Sequence, residues 1–101
     1  MIFEYKEDFK AREEWILLDF YAEWCGPCKV TSNNLAKFSD AHPEIPIIKI
    51  DVETYYDVAE KYQIQNVPTI VCLKDREEIW RIAGLVTVKE LEEKYDSTRT
   101  D

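Results

Sequence analysis

Basic side chains are scarce in this 101-residue sequence: Lys and Arg number 13 against 21 Asp and Glu, a net charge of −8, and no basic cluster stands out. Affinity for nucleic acid is built largely from cations that neutralise phosphates, so this balance argues against such a role. No long apolar run is present either. The longest, residues 15–24, is broken by Asp19 and Glu23 and falls short of a bilayer-spanning helix. Residues 1–8 lack the cationic region, apolar run and small-residue cleavage site of a secretory signal. There is no Gly/Ser linker, internal repeat or low-complexity tract. Cysteine is present 3 times, an odd number that a secreted disulfide framework does not normally leave and a reducing compartment tolerates. The expectation is a soluble, cytoplasmic, monomeric protein with no membrane and no nucleic acid among its partners.

Leu, Ile, Val and Phe supply 27 of the 101 residues, enough for a compact core without disulfide staples. Residues 1–101 read as a single domain with a polar, flexible tail over residues 96–101. Residues 15–21, 45–50 and 69–73 are short, β-branched or aromatic-rich and bounded by polar segments, which marks strands. The first and third are nearly continuous, as strands buried on both faces tend to be. Residues 2–5 form a short first strand, and residues 77–83 an edge strand after a turn at Asp75-Arg76. Helices are expected in between. Residues 25–41 are long enough for one, although Thr31-Ser32-Asn33-Asn34 interrupts its apolar face. Tyr55, Val58, Ala59 and Tyr62 share one face of another, capped at Thr54. Thr87 with Glu90 makes a capping box ahead of Val88, Leu91 and Tyr95. A further helix is expected around Phe9. The order β-α-β-α-β-α-β-β-α implies an α/β fold, a central mixed β-sheet flanked by helices on both faces.

One hexapeptide carries the chemistry: Trp24-Cys25-Gly26-Pro27-Cys28-Lys29, where a buried strand passes into a helix. Two cysteines at this spacing can reach disulfide geometry, and the first sits where backbone N–H groups and the helix dipole stabilise a thiolate, lowering its pKa. Cys28, one turn in and expected to be the more buried, can attack a mixed disulfide on Cys25 and close the ring. Pro27 suits a first helical turn, and Gly26 lets another chain approach closely. A structural reading exists as well, half of a zinc site. Zinc needs four ligands, and Cys72 and His42 alone remain; a helix from Cys28 would put His42 roughly 20 Å away, so the redox reading is preferred and no metal is expected. Cys72 reads as an inert core thiol, and His42 as a partner of helix-terminal carbonyls.

The residues 19–29, with Asn66-Val67-Pro68-Thr69 and Ala83-Gly84-Leu85 at matching spacing, resemble the thioredoxin family over nearly the whole chain. The resemblance implies a thioredoxin fold and a protein-disulfide reductase in which Cys25 is the nucleophile and Cys28 the resolving thiol. It implies that Asp19 is a buried carboxylate that helps move the Cys28 proton, with Lys49 as its pairing charge. The plainer alternative for Asp19 is a strand carboxylate reaching solvent. Pro68 would be cis, leaving the Val67 backbone free to pair with an extended substrate peptide. Trp24, Gly26, Pro27, Val67, Gly84 and Leu85 would form an apolar collar around Cys25. No bound cofactor is implied, only a redox-active Cys25–Cys28 disulfide. Electrons would come from NADPH through a flavin-dependent thioredoxin reductase, and the partners would be that reductase and disulfide-containing proteins. The chain departs from the family at Asn33, where a helix proline is usual, at Tyr21, where tryptophan is usual, and at the glycine-free turn of residues 75–78. A dithiol oxidant on the same fold, and a binding scaffold with an incidental dithiol, are the competing readings.

Overall fold

The computed structural model describes residues 1–10 and 14–99. They form β1 (Ile2–Glu4), β2 (Trp15–Tyr21), α1 (Gly26–Ala41), β3 (Ile47–Asp51), α2 (Tyr56–Lys61), β4 (Thr69–Lys74), β5 (Glu77–Ala83) and α3 (Val88–Arg99). The sheet order is β1-β3-β2-β4-β5, which puts β2 at the centre. β1, β3 and β2 run parallel, whereas β4 is antiparallel to both β2 and β5. This is the mixed sheet between helical layers that the alternation of strands and helices implied.

Strand periodicity divides the core into two layers, since alternate residues point to opposite faces. Leu17, Ile47, Ile70 and Cys72 pack with Leu35 and Phe38 of α1 and Leu91 of α3. Ile16, Leu18, Phe20, Ile48, Ile50, Val71 and Leu73 pack on the other face with Ala59 of α2, flanked by Tyr55, Val58 and Tyr62. Asp19 falls in the first set, between Leu17 and Tyr21. Continuous burial of residues 16–20 is therefore the signature of a strand covered on both sides.

Three local expectations differ from the structure. No helix forms around Phe9 within the described residues: the Phe9 N–H closes a turn onto the Lys6 carbonyl at 2.8 Å, and its ring packs beside Tyr5 in the second layer. Phe9 is the one large apolar side chain between Tyr5 and Trp15, too little to hold a helical face; residues 11–13 lie outside the described residues. Thr54 does not cap α2, whose N-cap is Tyr55, without a side-chain bond. Asp51 organises the entry instead, its Oδ1 accepting the Glu53 N–H at 2.9 Å and its carbonyl the Tyr55 N–H at 2.9 Å. Of the tail expected over residues 96–101, residues 96–99 are the last turn of α3, and residues 100–101 lie outside the described residues. Thr98 donates to the Lys94 carbonyl at 2.6 Å and accepts the Trp80 indole N–H at 3.1 Å, which ties the turn to β5.

The helix expected over residues 25–41 forms as α1 and runs unbroken through Thr31-Ser32-Asn33-Asn34. Two of these polar residues hold the chain ahead of α3 by its backbone. Thr31 Oγ1 accepts the Val86 N–H at 3.2 Å, and Asn34 Nδ2 donates to the Val86 carbonyl at 2.9 Å. Both Thr31 and Val86 are fully buried, so without Thr31 Oγ1 a peptide N–H would be left without this partner away from water. The capping box at Thr87 and Glu90 then starts α3, with Glu90 N–H to Thr87 Oγ1 at 3.1 Å and Thr87 N–H to Glu90 Oε1 at 3.0 Å. At its far end α1 meets α3 through His42, whose Nε2 lies 2.7 Å from Glu92 Oε1 and whose ring centre is 4.1 Å from that of Tyr95, tilted by 42°. Thr31→Val keeps the shape of the side chain and removes the acceptor. It is expected to destabilise the protein by about 1–3 kcal/mol in denaturant unfolding, and a change within measurement error would contradict the account.

Candidate active site

The hexapeptide lies where the central strand ends and α1 begins. Cys25 is the N-cap of α1, in extended conformation (φ −89°, ψ 109°), and its Sγ accepts the Cys28 N–H at 3.1 Å. A sulfur thus occupies the position usually filled by a Ser, Thr, Asp or Asn oxygen. Pro27 stands in the first helical turn, where no N–H is required, and that turn holds no acidic side chain to oppose a thiolate. Cys25 and Cys28 are joined as a disulfide with Cα atoms 5.2 Å apart. The expected difference in burial is absent, since each is 3% exposed in this oxidised state. The two sulfurs are distinguished by position instead, one at the cap and one a turn inside the helix. Ala22 packs with both, flanked by Tyr21, Val52 and Val67.

Two further segments lie close in the fold, the loop before β4 and the chain after β5. The Val67–Pro68 peptide is cis, and Pro68 is buried immediately before β4. The Pro68 carbonyl accepts the Gly84 N–H at 2.7 Å. Gly84 has φ +97°, a conformation that strains any residue with a Cβ, which gives this glycine its structural reason. Leu85, 45% exposed, stands between Gly84 and the Val86 that α1 holds. Trp24 is 71% exposed, and Gly26 and Pro27 are open to solvent. Trp24 and Leu85 are thus large apolar side chains left in water.

Asp19 is the unusual polar residue. It is 1% exposed, and neither carboxylate oxygen has a hydrogen-bond partner. The direct ion pair with Lys49 expected from the sequence does not form. Asp19 and Lys49 are cross-strand partners on the same face, but the ammonium turns away, donating to Ser32 Oγ at 3.0 Å and lying 4.7 Å from the centre of the Tyr21 ring. The reason is that α1 offers Lys49 a hydroxyl and β2 an aromatic face, both nearer solvent than Asp19. Burial pushes the Asp19 carboxyl from its ordinary 3.8 up to about 7, the Lys49 charge holding it down and Glu4 pushing it further up. Glu4 belongs to the site for a second reason, since the Tyr21 hydroxyl donates to its Oε2 at 3.2 Å. Sequence reasoning missed Glu4, Ser32 and Tyr21 here. The parallel register Glu4–Lys49–Asp19 across three strands is the pattern that connects them. Cys72 is remote in chemistry: wholly buried in β4, its thiol pushed up to about 12 by burial. His42 caps the opposite end of α1, about 24 Å of helix away from Cys25.

A cysteine pair closing a ring at a helix N-terminus is the arrangement of a thiol–disulfide oxidoreductase. The chain belongs to the thioredoxin family, whose model matches residues 3–97. It is 36% identical over 74 residues to thioredoxin-1 of Saccharomyces cerevisiae, covering 73% of this chain and 72% of that protein. It is 37% identical over 81 residues to thioredoxin-2 of Pyricularia oryzae, covering 80% of this chain and 47% of that longer protein. Among solved structures, the thioredoxin of Fasciola hepatica superposes with a TM-score of 0.75 at 31% identity, covering 89% of this chain and 84% of its own. Nicotiana alata thioredoxin NaTrxh gives 0.79 at 35% identity, covering 85% and 74%.

The Asp19 environment sets a pH dependence of stability. Below about pH 4 the carboxyl is protonated in both folded and unfolded chains and contributes no difference. Between pH 4 and 7 the unfolded chain releases this proton while the folded one retains it, so stability falls as pH rises and levels off above 7. Asp19→Asn removes the penalty. Its stability relative to the parent should grow by on the order of 4 kcal/mol from pH 4 to pH 8, read by denaturant unfolding of both oxidised proteins. A difference that does not change with pH would contradict the buried, unpaired carboxyl.

Proposed function

We propose that the protein reduces disulfides in other proteins, with Cys25 as nucleophile, Cys28 as resolving thiol and Asp19 as the base for the second step. The observation that carries this reading is the Cys25 sulfur at the N-cap of α1, accepting the Cys28 N–H at 3.1 Å. In the reduced protein the same N–H and the helix N-terminus stabilise a Cys25 thiolate over the thiol. The thiolate attacks one sulfur of a substrate disulfide, forming a mixed disulfide and releasing one substrate thiol. Cys28 then loses its proton to Asp19 and attacks the Cys25 sulfur, which releases the second thiol and leaves the Cys25–Cys28 disulfide. Two electrons pass to the substrate. A carboxyl titrating near 7 is matched to accepting that proton and returning it to water at neutral pH.

Lys49 acts in this scheme through its field, holding Asp19 within reach of ionisation. Trp24, Gly26, Pro27, Val67, Pro68, Gly84 and Leu85 form the docking surface, and the Val67 backbone pairs with an extended substrate segment. The protein carries its electrons in the cysteine pair, replenished from NADPH through a flavin-dependent thioredoxin reductase, as membership of the family supports. A monomer in the reducing cytoplasm fits the free Cys72 and the edge strands, β1 of three residues and β5 bearing Glu77, Glu78 and Arg81.

The test is a redox titration against a dithiol buffer, read by tryptophan fluorescence and checked by thiol alkylation. A reversible two-electron couple more reducing than the glutathione pool is expected. A strongly oxidising couple would make the protein a dithiol oxidant, and the absence of a couple would leave a scaffold. Cys25→Ser should abolish disulfide reduction, and Cys28→Ser should accumulate mixed disulfides with substrate.

A further inference from the structure

A groove of about 870 Å³ opens beside the disulfide, between Trp24, α2 and the loop that precedes Pro68. Its floor is apolar, with Val52, Ala59, Ile64 and Val67, and Val67 also packs against the Cys25–Cys28 pair, so groove and reacting sulfurs are continuous. Its rim is different in character. The Trp24 and Tyr56 rings are 71% and 68% exposed, and Glu53 and Glu60 stand open to solvent among the lining residues. No Lys or Arg lines the groove among the described residues. Lys29 and Lys61, which neighbour the motif and α2 in sequence, line other clefts.

We propose that this groove selects protein disulfides whose cysteine is flanked, within a few residues, by an arginine or lysine. The inference rests on the disulfide-reductase reading above and names the substrate class for it. Two exposed aromatic faces with two carboxylates beside them form a receptor for a cation carried on an apolar stem. The Tyr56 hydroxyl donates to Glu60 Oε2 at 3.5 Å, so a guanidinium laid over the Tyr56 ring reaches the Glu60 carboxylate as well. Ring quadrupole and carboxylate both attract the cation, and the planar arginine head can stack on the one while hydrogen-bonding to the other. The apolar floor accepts the methylene stem. An acidic side chain in the same place would meet two like charges and no cation, so the groove discriminates by repulsion as well as attraction. The occupant is thus an extended, cationic segment of a disulfide-containing protein, held by charge complementarity next to Cys25.

Contacts at an exposed rim are individually modest and screened by salt, which sets the size of the effect. The probes are three synthetic disulfide-linked peptides, identical except for Arg, Ser or Glu two residues from the cysteine. Each is mixed with the reduced protein, and the second-order rate of its reduction is followed by tryptophan fluorescence. The Arg peptide should react about 5–10-fold faster than the Glu peptide at about 0.05 M NaCl, the Ser peptide falling between, and the ratio should drop below about 2 at 0.5 M NaCl. Glu53→Gln/Glu60→Gln should lower the ratio to below about 2 at low salt as well. Asp40→Asn/Glu93→Gln, which removes the same charge from exposed positions outside the groove, should retain it. Equal rates for the Arg and Glu peptides in the parent protein would overturn the proposal. So would equal losses of selectivity in the two double variants, which would assign it to overall charge. Failure to reduce the uncharged Ser peptide would overturn the reductase reading itself, and the present inference with it.

Discussion

A sulfur in the N-cap position of α1 is the interaction on which the rest of the site depends. The cap is possible because β2, paired on both sides at the centre of the sheet, delivers Cys25 at the point where the chain turns into the helix. A helix start must satisfy its N–H groups from outside itself, and here one of those donors is Cys28, the residue that must later take its partner's sulfur. Local backbone requirements and redox chemistry thus draw on one contact. The same turn presents Gly26 and Pro27 to solvent and sets Trp24 beyond the end of the strand. Displacing the end of β2 by a single residue would reverse the faces of Leu17, Asp19 and Tyr21 and take the carboxyl away from the helix.

The second organising element is the grip of α1 on Val86. Thr31 and Asn34 bind the N–H and the carbonyl of one residue, Val86, and Gly84 is tied to Pro68 from the other side. The helix that carries the cysteines, the loop before β4 and the loop before α3 are thereby joined by hydrogen bonds to backbone groups rather than by side-chain packing alone. The proposed docking surface, assembled from three distant parts of the sequence, holds its shape because its supports are directional. The exposed side chains that decorate it, Trp24 and Leu85, remain free to adapt to a partner.

Much of this was legible in the sequence, for identifiable reasons. Strand burial showed in the runs of residues 15–21 and 69–73, and the start of α3 in Thr87 and Glu90, whose reciprocal bonds the structure contains. The turn at Asp75 and Arg76 is a two-residue hairpin with both residues at positive φ, despite the absence of glycine. The cysteine pair announced its chemistry by position. What escaped was long-range and polar. Thr31 and Asn34 looked like flaws in an apolar face because their partner, Val86, lies more than fifty residues on. Lys49 looked like the counter-charge of Asp19 because register alone brings them together, yet Ser32 and the Tyr21 ring compete for the ammonium. Periodicity predicts which face a residue occupies, but it does not say which of several neighbours on that face will take a long side chain.

Cys72 illustrates a different economy. It lies in β4 opposite Leu17 and Trp80, wholly enclosed, with its thiol pushed up to about 12 by burial. The thiolate is the species that exchanges, so this sulfur is silent at neutral pH while the protein is folded. The chain therefore has three cysteines by composition and two by reactivity. Each turn of the cycle begins and ends with the same intramolecular pair, with no third sulfur to divert it into a misplaced bridge or a covalent dimer. Unfolding ends that immunity, because an exposed Cys72 becomes a competent nucleophile beside an oxidised neighbour. The integrity of the hydrophobic layer is then also what keeps the electron count of this carrier at two.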